Sequence, residues 1–355
     1  MSRFLVQKLQ SLAPYVPGEQ PQDMQYVKLN TNESPFPPSP RVVEALSSAI
    51  ISRLNLYPDP LCKTLCETIA AEYALQAENV FVGNGSDEVL AFAFMAYGDK
   101  RGFAFPQISY GFYPVYANLF GLQARKVPLN EDFSIPAEKF CNLGMPIAIA
   151  NPNAPTSLAM TRKDIERILQ TNPDSVVLID EAYIDYGGEP CLPLLDQYPN
   201  LLIVRTYSKS RSLAGGRLGY ALASREIIDD LNRIKHSFNP YSINSLTMLA
   251  GIEAMRDREY FESCVTATIA QRELTQNDLR ALGFTVLDSA SNFLFAAPPN
   301  MSGEAYYRGL KQRGVLVRYF NDPKLKAFVR ITIGSAAQMQ ALLDTTKVLF
   351  EEAGA

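Results

Sequence analysis

Short apolar runs alternate with stretches of helical periodicity along most of this chain. Residues 80–82, 102–105, 147–150, 176–179, 201–205 and 218–223 read as strands, and 87–96, 113–120, 162–170 and 226–236 as helices. Runs such as VVLID and LLIVRT are apolar without alternation. That pattern fits strands covered on both faces, as in a mainly parallel sheet with helices on each side. After about residue 255 a long helical stretch leads into FTVLDS, NFLFAA, VLVRYF and FVRITIG, interrupted by a helix at 303–312 and closed by one at 336–350. This predicts a smaller α+β domain. The proline-rich opening, from Pro14 through SPFPPSP, cannot be regular helix and reads as an extended arm that completes that domain. The expected organisation is therefore an arm and part of the small domain at 1–45, a large α/β domain at 46–254, and a small C-terminal domain at 255–355.

Composition narrows the chemistry. The chain has 355 residues, 47% of them hydrophobic, which suits one large domain or two with a sizeable core. A net charge of −4 argues against a nucleic-acid or polybasic membrane surface. No run reaches the roughly 18 apolar residues of a transmembrane helix, and the opening MSRFLVQKLQSLAPY lacks the apolar core of a secretory signal. Five cysteines without a CxxC pair suggest reduced thiols in a cytoplasmic protein. The single histidine, His236, leaves no set of imidazoles for a catalytic zinc, so no metal is expected. A base or nucleophile then comes from Lys, Tyr, Asp, Glu or Cys, and His236 reads as a surface or structural residue.

Ligands of open α/β sheets bind beyond the carboxyl ends of the strands. Four apolar runs here end directly in polar segments: GNGSDE from Gly83, NPNAPT from Asn151, DEAY from Asp180 and TYSK from Thr206. In GNGSDE, glycines allow close backbone approach and a helix start offers N–H groups to an anion, although the same residues also suit a plain N-cap by Ser86. Glu88 stands where a dinucleotide fingerprint needs its third glycine, and no Walker lysine follows. Lys209 follows a strand among Ser208, Arg211 and Arg217, a setting for an amine nucleophile beside an anionic cofactor, or for an ordinary surface lysine. Asp180, about one helix-and-strand unit earlier, suits the partner of a cationic ring nitrogen, or a turn cap.

Together GNGSDE, NPNAPT, DEAY, SKSRSLAGGRLGY and RITIG, in this order, resemble the fold-type-I pyridoxal-phosphate aminotransferases, and within them the histidinol-phosphate aminotransferases. The likeness runs over nearly the whole chain, from LAPYVPGE and LNTNESPFPPSP through LYPDP and FPQISYGFYPVYA to FVRITIGS. It implies a fold with a large cofactor-binding domain and a small domain, and pyridoxal 5′-phosphate as cofactor. Lys209 would be the Schiff-base lysine and proton shuttle, with Asp180 on the pyridine nitrogen. Asn153 and Tyr183 would bond the ring hydroxyl oxygen, and Tyr110 would stack on the ring. Gly85, Ser86, Ser208 and Arg217 would hold the cofactor phosphate, with Asp87 beside them and Tyr57 reaching in from a second subunit. Arg330 matches the substrate-carboxylate arginine. Tyr15, Asn32 and Arg318 match positions lining the substrate pocket, and Glu33 is a weaker match near the imidazole.

The resemblance implies transamination of L-histidinol phosphate with 2-oxoglutarate, giving imidazole acetol phosphate and L-glutamate, by a homodimer with shared sites. Threonine-phosphate decarboxylases and aromatic-amino-acid aminotransferases share much of this pattern. A non-catalytic pyridoxal-binding regulator is a third alternative, opposed by the intact Lys209, Asp180 and Tyr183. Two positions depart from the usual pattern: Ser157 follows NPNAPT where glycine is common, and Gly216 precedes Arg217 where leucine is common.

Overall fold

The computed structural model describes residues 12–46 and 51–354. The opening segment read above as non-secretory lies largely outside them. Thirteen strands are described: β1 Val27–Lys28, β2 Val80–Asn84, β3 Phe103–Pro106, β4 Ala124–Val127, β5 Ile147–Ala150, β6 Val177–Asp180, β7 Leu201–Thr206, β8 Leu218–Ala223, β9 Thr285–Val286, β10 Phe293–Ala297, β11 Val315–Leu316, β12 Arg318–Tyr319 and β13 Val329–Thr332. Seven of them form one sheet in the order β2-β8-β7-β6-β5-β3-β4. β8 pairs antiparallel with both neighbours and the other pairings are parallel, so β8 alone runs against the rest.

The non-alternating runs have the expected cause. Ile147, Ile149, Val177, Ile179, Leu201 and Ile203 point into one hydrophobic core, while Ala148, Ala150, Leu178, Leu202 and Val204 point into a second on the other face. Successive strand side chains alternate between faces, and here both faces are packed, so every position is apolar. β4, with three exposed residues out of four, is an edge strand whose polarity hid it from a reading based on apolar runs.

A separate antiparallel sheet, β12-β13-β10-β9, is built from the C-terminal part. The N-terminal arm lies beside it: β1 and β11 form a separate parallel pair, where Leu29 N–H donates to the Leu316 carbonyl at 2.8 Å, and Thr332 N–H of β13 donates to the Leu29 carbonyl at 2.9 Å. The Leu29 side chain is buried in the same core as Leu294, Tyr306, Leu310, Ile331 and Leu342. The arm thus completes the small α+β unit, as the fold class expected. Among the described residues no helix is long and apolar enough to cross a membrane.

Candidate active site

Because β2, β5, β6 and β7 run in one direction, their four polar exits lie at one edge of the sheet. The first exit begins helix α1, Gly85–Tyr97. Asn84, not Ser86, is its N-cap residue, and the Glu88 carboxylate accepts from Asn84 N–H at 2.7 Å and from the Ser242 hydroxyl at 2.9 Å. Glu88 therefore does capping work, and Ser86 sits in the first turn of the helix, facing a cavity. Two glycines permit this approach. Gly85 has φ +76°, and a Cβ there would lie 2.5 Å from the Arg217 guanidinium. A Cβ on Gly219 of β8 would lie 2.2 Å from Ser86 N.

A chamber of about 340 Å³ opens at this edge, lined by Ser86, Asp87, Tyr110, Asp180, Tyr183, Ser208, Lys209 and Arg217. Thr31, Glu33, Ala150, Ala154, Ala182, Thr206, Ala214 and Gly215 complete its wall; of these eight only Glu33 is a site residue the sequence suggests. A second chamber of about 710 Å³ adjoins it, lined by Tyr15, Asn32, Arg318 and Arg330 among others. Thr31, Tyr110, Ala154, Tyr183 and Lys209 belong to both, so Lys209 stands on the wall between them. Its Nζ lies 3.4 Å from the Thr31 carbonyl and 5.7 Å from the Tyr183 ring centre.

Asp180 ends β6 at 4% exposure. It accepts from the Tyr113 hydroxyl at 3.0 Å and from Ala182 N–H at 3.2 Å. Burial outweighs those two donors and pushes its carboxyl up to about 7. Next to it in sequence, Glu181 points the opposite way into a buried ion pair with Arg205 at 2.8 Å. At the helix start, Asp87 accepts from the Tyr110 hydroxyl at 2.7 Å and pairs with Arg217 at 3.1 Å. Asp87 thereby holds both the ring and the cation that line the chamber. Arg217 itself takes a left-handed backbone, φ +51°.

The arm brings in the other half of the site. Asn32, 1% exposed and with φ +55°, donates from its amide to the Tyr183 hydroxyl at 3.0 Å and accepts from Thr332 Oγ1 at 3.0 Å. Tyr15 stacks on Phe112 with ring centres 4.3 Å apart, and burial raises its hydroxyl pKa against the pull of Arg330 and Arg318. Arg318 and Arg330 are direct cross-strand partners in the β12–β13 ladder. Like charges placed directly opposite are destabilising, so this pairing is the mark of a site for anions. Arg318 donates to the carbonyls of Pro17 and Val16, both at 3.0 Å. Arg330 donates to the Asn30 carbonyl at 3.0 Å, while its buried Nε has no partner.

One alternative gives way to the structure, the N-cap reading of Ser86, since Asn84 holds that place. Asn153 is fully buried beside Ala154. Its amide donates to the Ile108 carbonyl at 3.1 Å and to Thr156 Oγ1 at 3.0 Å, and its oxygen accepts from Ser109 at 2.8 Å. These bonds tie its loop to the β3 exit, and the adjacent Ala154 lines both chambers. Tyr57, 82% exposed and stacked on Tyr241 at 4.7 Å, lines neither chamber of its own chain. Of the two departures, Ser157 has φ +65°, the backbone that makes glycine common there. His236 is exposed in the last turn of helix Arg225–Phe238, as a surface residue. Tyr113, in the first turn of helix Phe112–Phe120, is a further residue at the site that no motif singled out.

The Aminotransferase class I and II family matches residues 24–345. The histidinol-phosphate aminotransferase of Marinomonas sp. (strain MWYL1) is 50% identical over 353 residues, covering 98% of this chain and all of the relative. That of Clostridium acetobutylicum is 47% identical over 348 residues, covering 98% of this chain and 99% of the relative. The histidinol-phosphate aminotransferase of Sinorhizobium meliloti, solved in complex with pyridoxal-5′-phosphate, superposes with a TM-score of 0.87 at 21% identity over 98% of this chain and 99% of that one, a likeness of fold. With a family match over most of its length and near-full-length relatives at such identity, this chain belongs to the class I and II aminotransferases.

Proposed function

We propose that this chain transfers the amino group of L-histidinol phosphate to 2-oxoglutarate, yielding imidazole acetol phosphate and L-glutamate in histidine biosynthesis, with pyridoxal 5′-phosphate as cofactor. The observation that carries this reading is the position of Lys209 between a chamber floored by Asp180 and one holding the opposed Arg318 and Arg330. The near-full-length similarity to two histidinol-phosphate aminotransferases supports the substrate.

The residues present fit the cofactor. Asp180 is a buried carboxyl with a phenol and a backbone N–H as its donors and no cation on it, which suits a protonated ring nitrogen. The glycine-cleared start of α1, Ser86, Ser208 and Arg217 suit the phosphate. Tyr110 offers a ring face, and Tyr183, held by Asn32, offers its hydroxyl to the ring oxygen. When bound, the protonated pyridine supplies an electron sink for a carbanion at the substrate carbon.

The chain's own groups do the rest. Lys209 is the residue that would hold the cofactor, and its free amine would take the proton from the substrate carbon that bears the amino group. Its place on the shared wall gives its Nζ access to both chambers. Arg318 and Arg330 bind the anionic ends of the substrates, the phosphate of the amine in one half-reaction and a carboxylate of glutamate or 2-oxoglutarate in the other. An arginine fork matches either oxyanion, which answers how one pocket serves a substrate with no carboxylate and another with two. Tyr15 and the carbonyls of Val16 and Pro17 close the outer chamber around Arg318.

A homodimer fits the surface. Leu54, Leu56, Tyr57, Leu61, Phe238 and Tyr241 are large apolar residues at 41–82% exposure, and Tyr57 is then delivered to the partner's phosphate site. A cytoplasmic setting suits the five free cysteines. The test is direct: purified protein supplied with pyridoxal phosphate, histidinol phosphate and 2-oxoglutarate forms glutamate, and glutamate fails to form when histidinol phosphate is omitted. No glutamate from the complete mixture overturns the reading.

A further inference from the structure

Tyr113, in the first turn of helix Phe112–Phe120 just after Tyr110, is fully buried. Its ring is packed against Phe94 at 6.0 Å, Phe105 at 5.8 Å and Tyr110 at 5.8 Å between ring centres. A phenylalanine would fill that aromatic cluster equally well. The hydroxyl is the part that needs a reason, because a buried hydroxyl without a partner costs free energy. Its hydrogen bond goes to Asp180 Oδ2, at 3.0 Å. The other carboxylate oxygen accepts from Ala182 N–H at 3.2 Å. With one donor on each oxygen the carboxyl plane is fixed, and lone pairs remain for the chamber it lines.

We infer that Tyr113 is a positioning residue for the reaction, whose hydroxyl orients the Asp180 carboxylate toward the cofactor's ring nitrogen and keeps it an acceptor there. This deepens the proposed function and rests on the reading that Asp180 meets that nitrogen. The groups that face Asp180 give the hydroxyl this leverage. Burial, Asp87 of α1 and the neighbouring Glu181 favour the neutral acid, and the Tyr113 hydroxyl and the Ala182 N–H oppose them. Tyr116, on the same helix as Tyr113, donates to the Asp87 backbone at 2.9 Å and leaves Asp180 to Tyr113. Lys209 and Arg217 line the chamber but make no ion pair with Asp180.

The test compares wild type with Tyr113→Phe, which keeps the ring and removes one oxygen. Dissociation constants are measured by equilibrium dialysis for pyridoxal phosphate and for its carbocyclic analogue, in which C–H replaces the ring nitrogen. Loss of one hydrogen bond to a charged group should weaken pyridoxal phosphate roughly tenfold, while the analogue, which offers Asp180 no nitrogen, changes less than about twofold. An equal loss for both ligands means Tyr113 only packs, and no loss for either means its hydroxyl is idle; each overturns the inference. Wild type that fails to prefer pyridoxal phosphate over the analogue overturns instead the Asp180 reading beneath it. A second readout needs no cofactor. The infrared band of the protonated Asp180 carboxyl, assigned by its absence in Asp180→Asn, should persist to a pH about one unit higher in Tyr113→Phe. An unchanged midpoint contradicts the inference.

Discussion

At the scale of single residues, the site is made by backbone exceptions and one buried acid. Gly85 meets two demands at the start of α1, a left-handed φ and room for Arg217. In Gly85→Ala the methyl group displaces the guanidinium, which is flexible, and adds a backbone cost of about 1 kcal/mol. The expected outcome is a folded protein whose affinity for pyridoxal phosphate falls at least about tenfold, since a charge-assisted contact is lost, measured by the same dialysis. Asp180 gives a pH prediction. Its carboxyl is raised from 3.8 to about 7 by burial, so the cofactor-free folded state holds a proton that the unfolded chain releases. Stability is therefore fully present below the unfolded value and is lost as pH climbs through the folded one, by up to a few kcal/mol. Thermal unfolding of the cofactor-free protein between pH 4 and 8 should show this decline relative to Asp180→Asn. Parallel curves would contradict it.

At the scale of elements, the N-terminal arm carries the site's second half on a very short strand. β1 has two residues, yet the chain that follows it delivers Asn32 to Tyr183 while Leu29 anchors it in the small core. Leu29→Ala should cost about 2–5 kcal/mol, as for other buried leucines, read from chemical denaturation. It should also raise the KM for the amine more than that of Arg41→Ala, a control on an exposed ion pair with Glu253. The sequence made most of this level legible. Strands 147–150 and 218–223 and the helix at 303–312 appear with the bounds their periodicity suggests, and the order of polar exits located the site. What escaped has a physical pattern. The edge strand β4 is polar, Tyr113 looks like one aromatic among many, and the direction of the Asn153 side chain depends on partners in other loops.

At the scale of the whole molecule, the proposed dimer makes each site depend on two chains. Lys209 lies inside its own chain's chambers while Tyr57 stands on the surface. Mixing Tyr57→Ala and Lys209→Ala chains after joint refolding should recover activity that neither variant has alone in comparable degree, because one of the two sites in the mixed dimer inherits both intact residues. Activity no higher than the sum of the separate variants would mean that the sites are not shared. The most direct measurement of the central claim is a single turnover of cofactor-loaded enzyme with histidinol phosphate, threonine phosphate, phenylalanine or glutamate, followed by absorbance and by carbon dioxide release. Histidinol phosphate and glutamate are expected to convert the bound cofactor to its amine form without releasing carbon dioxide. Inert histidinol phosphate, together with carbon dioxide from threonine phosphate, would contradict the account.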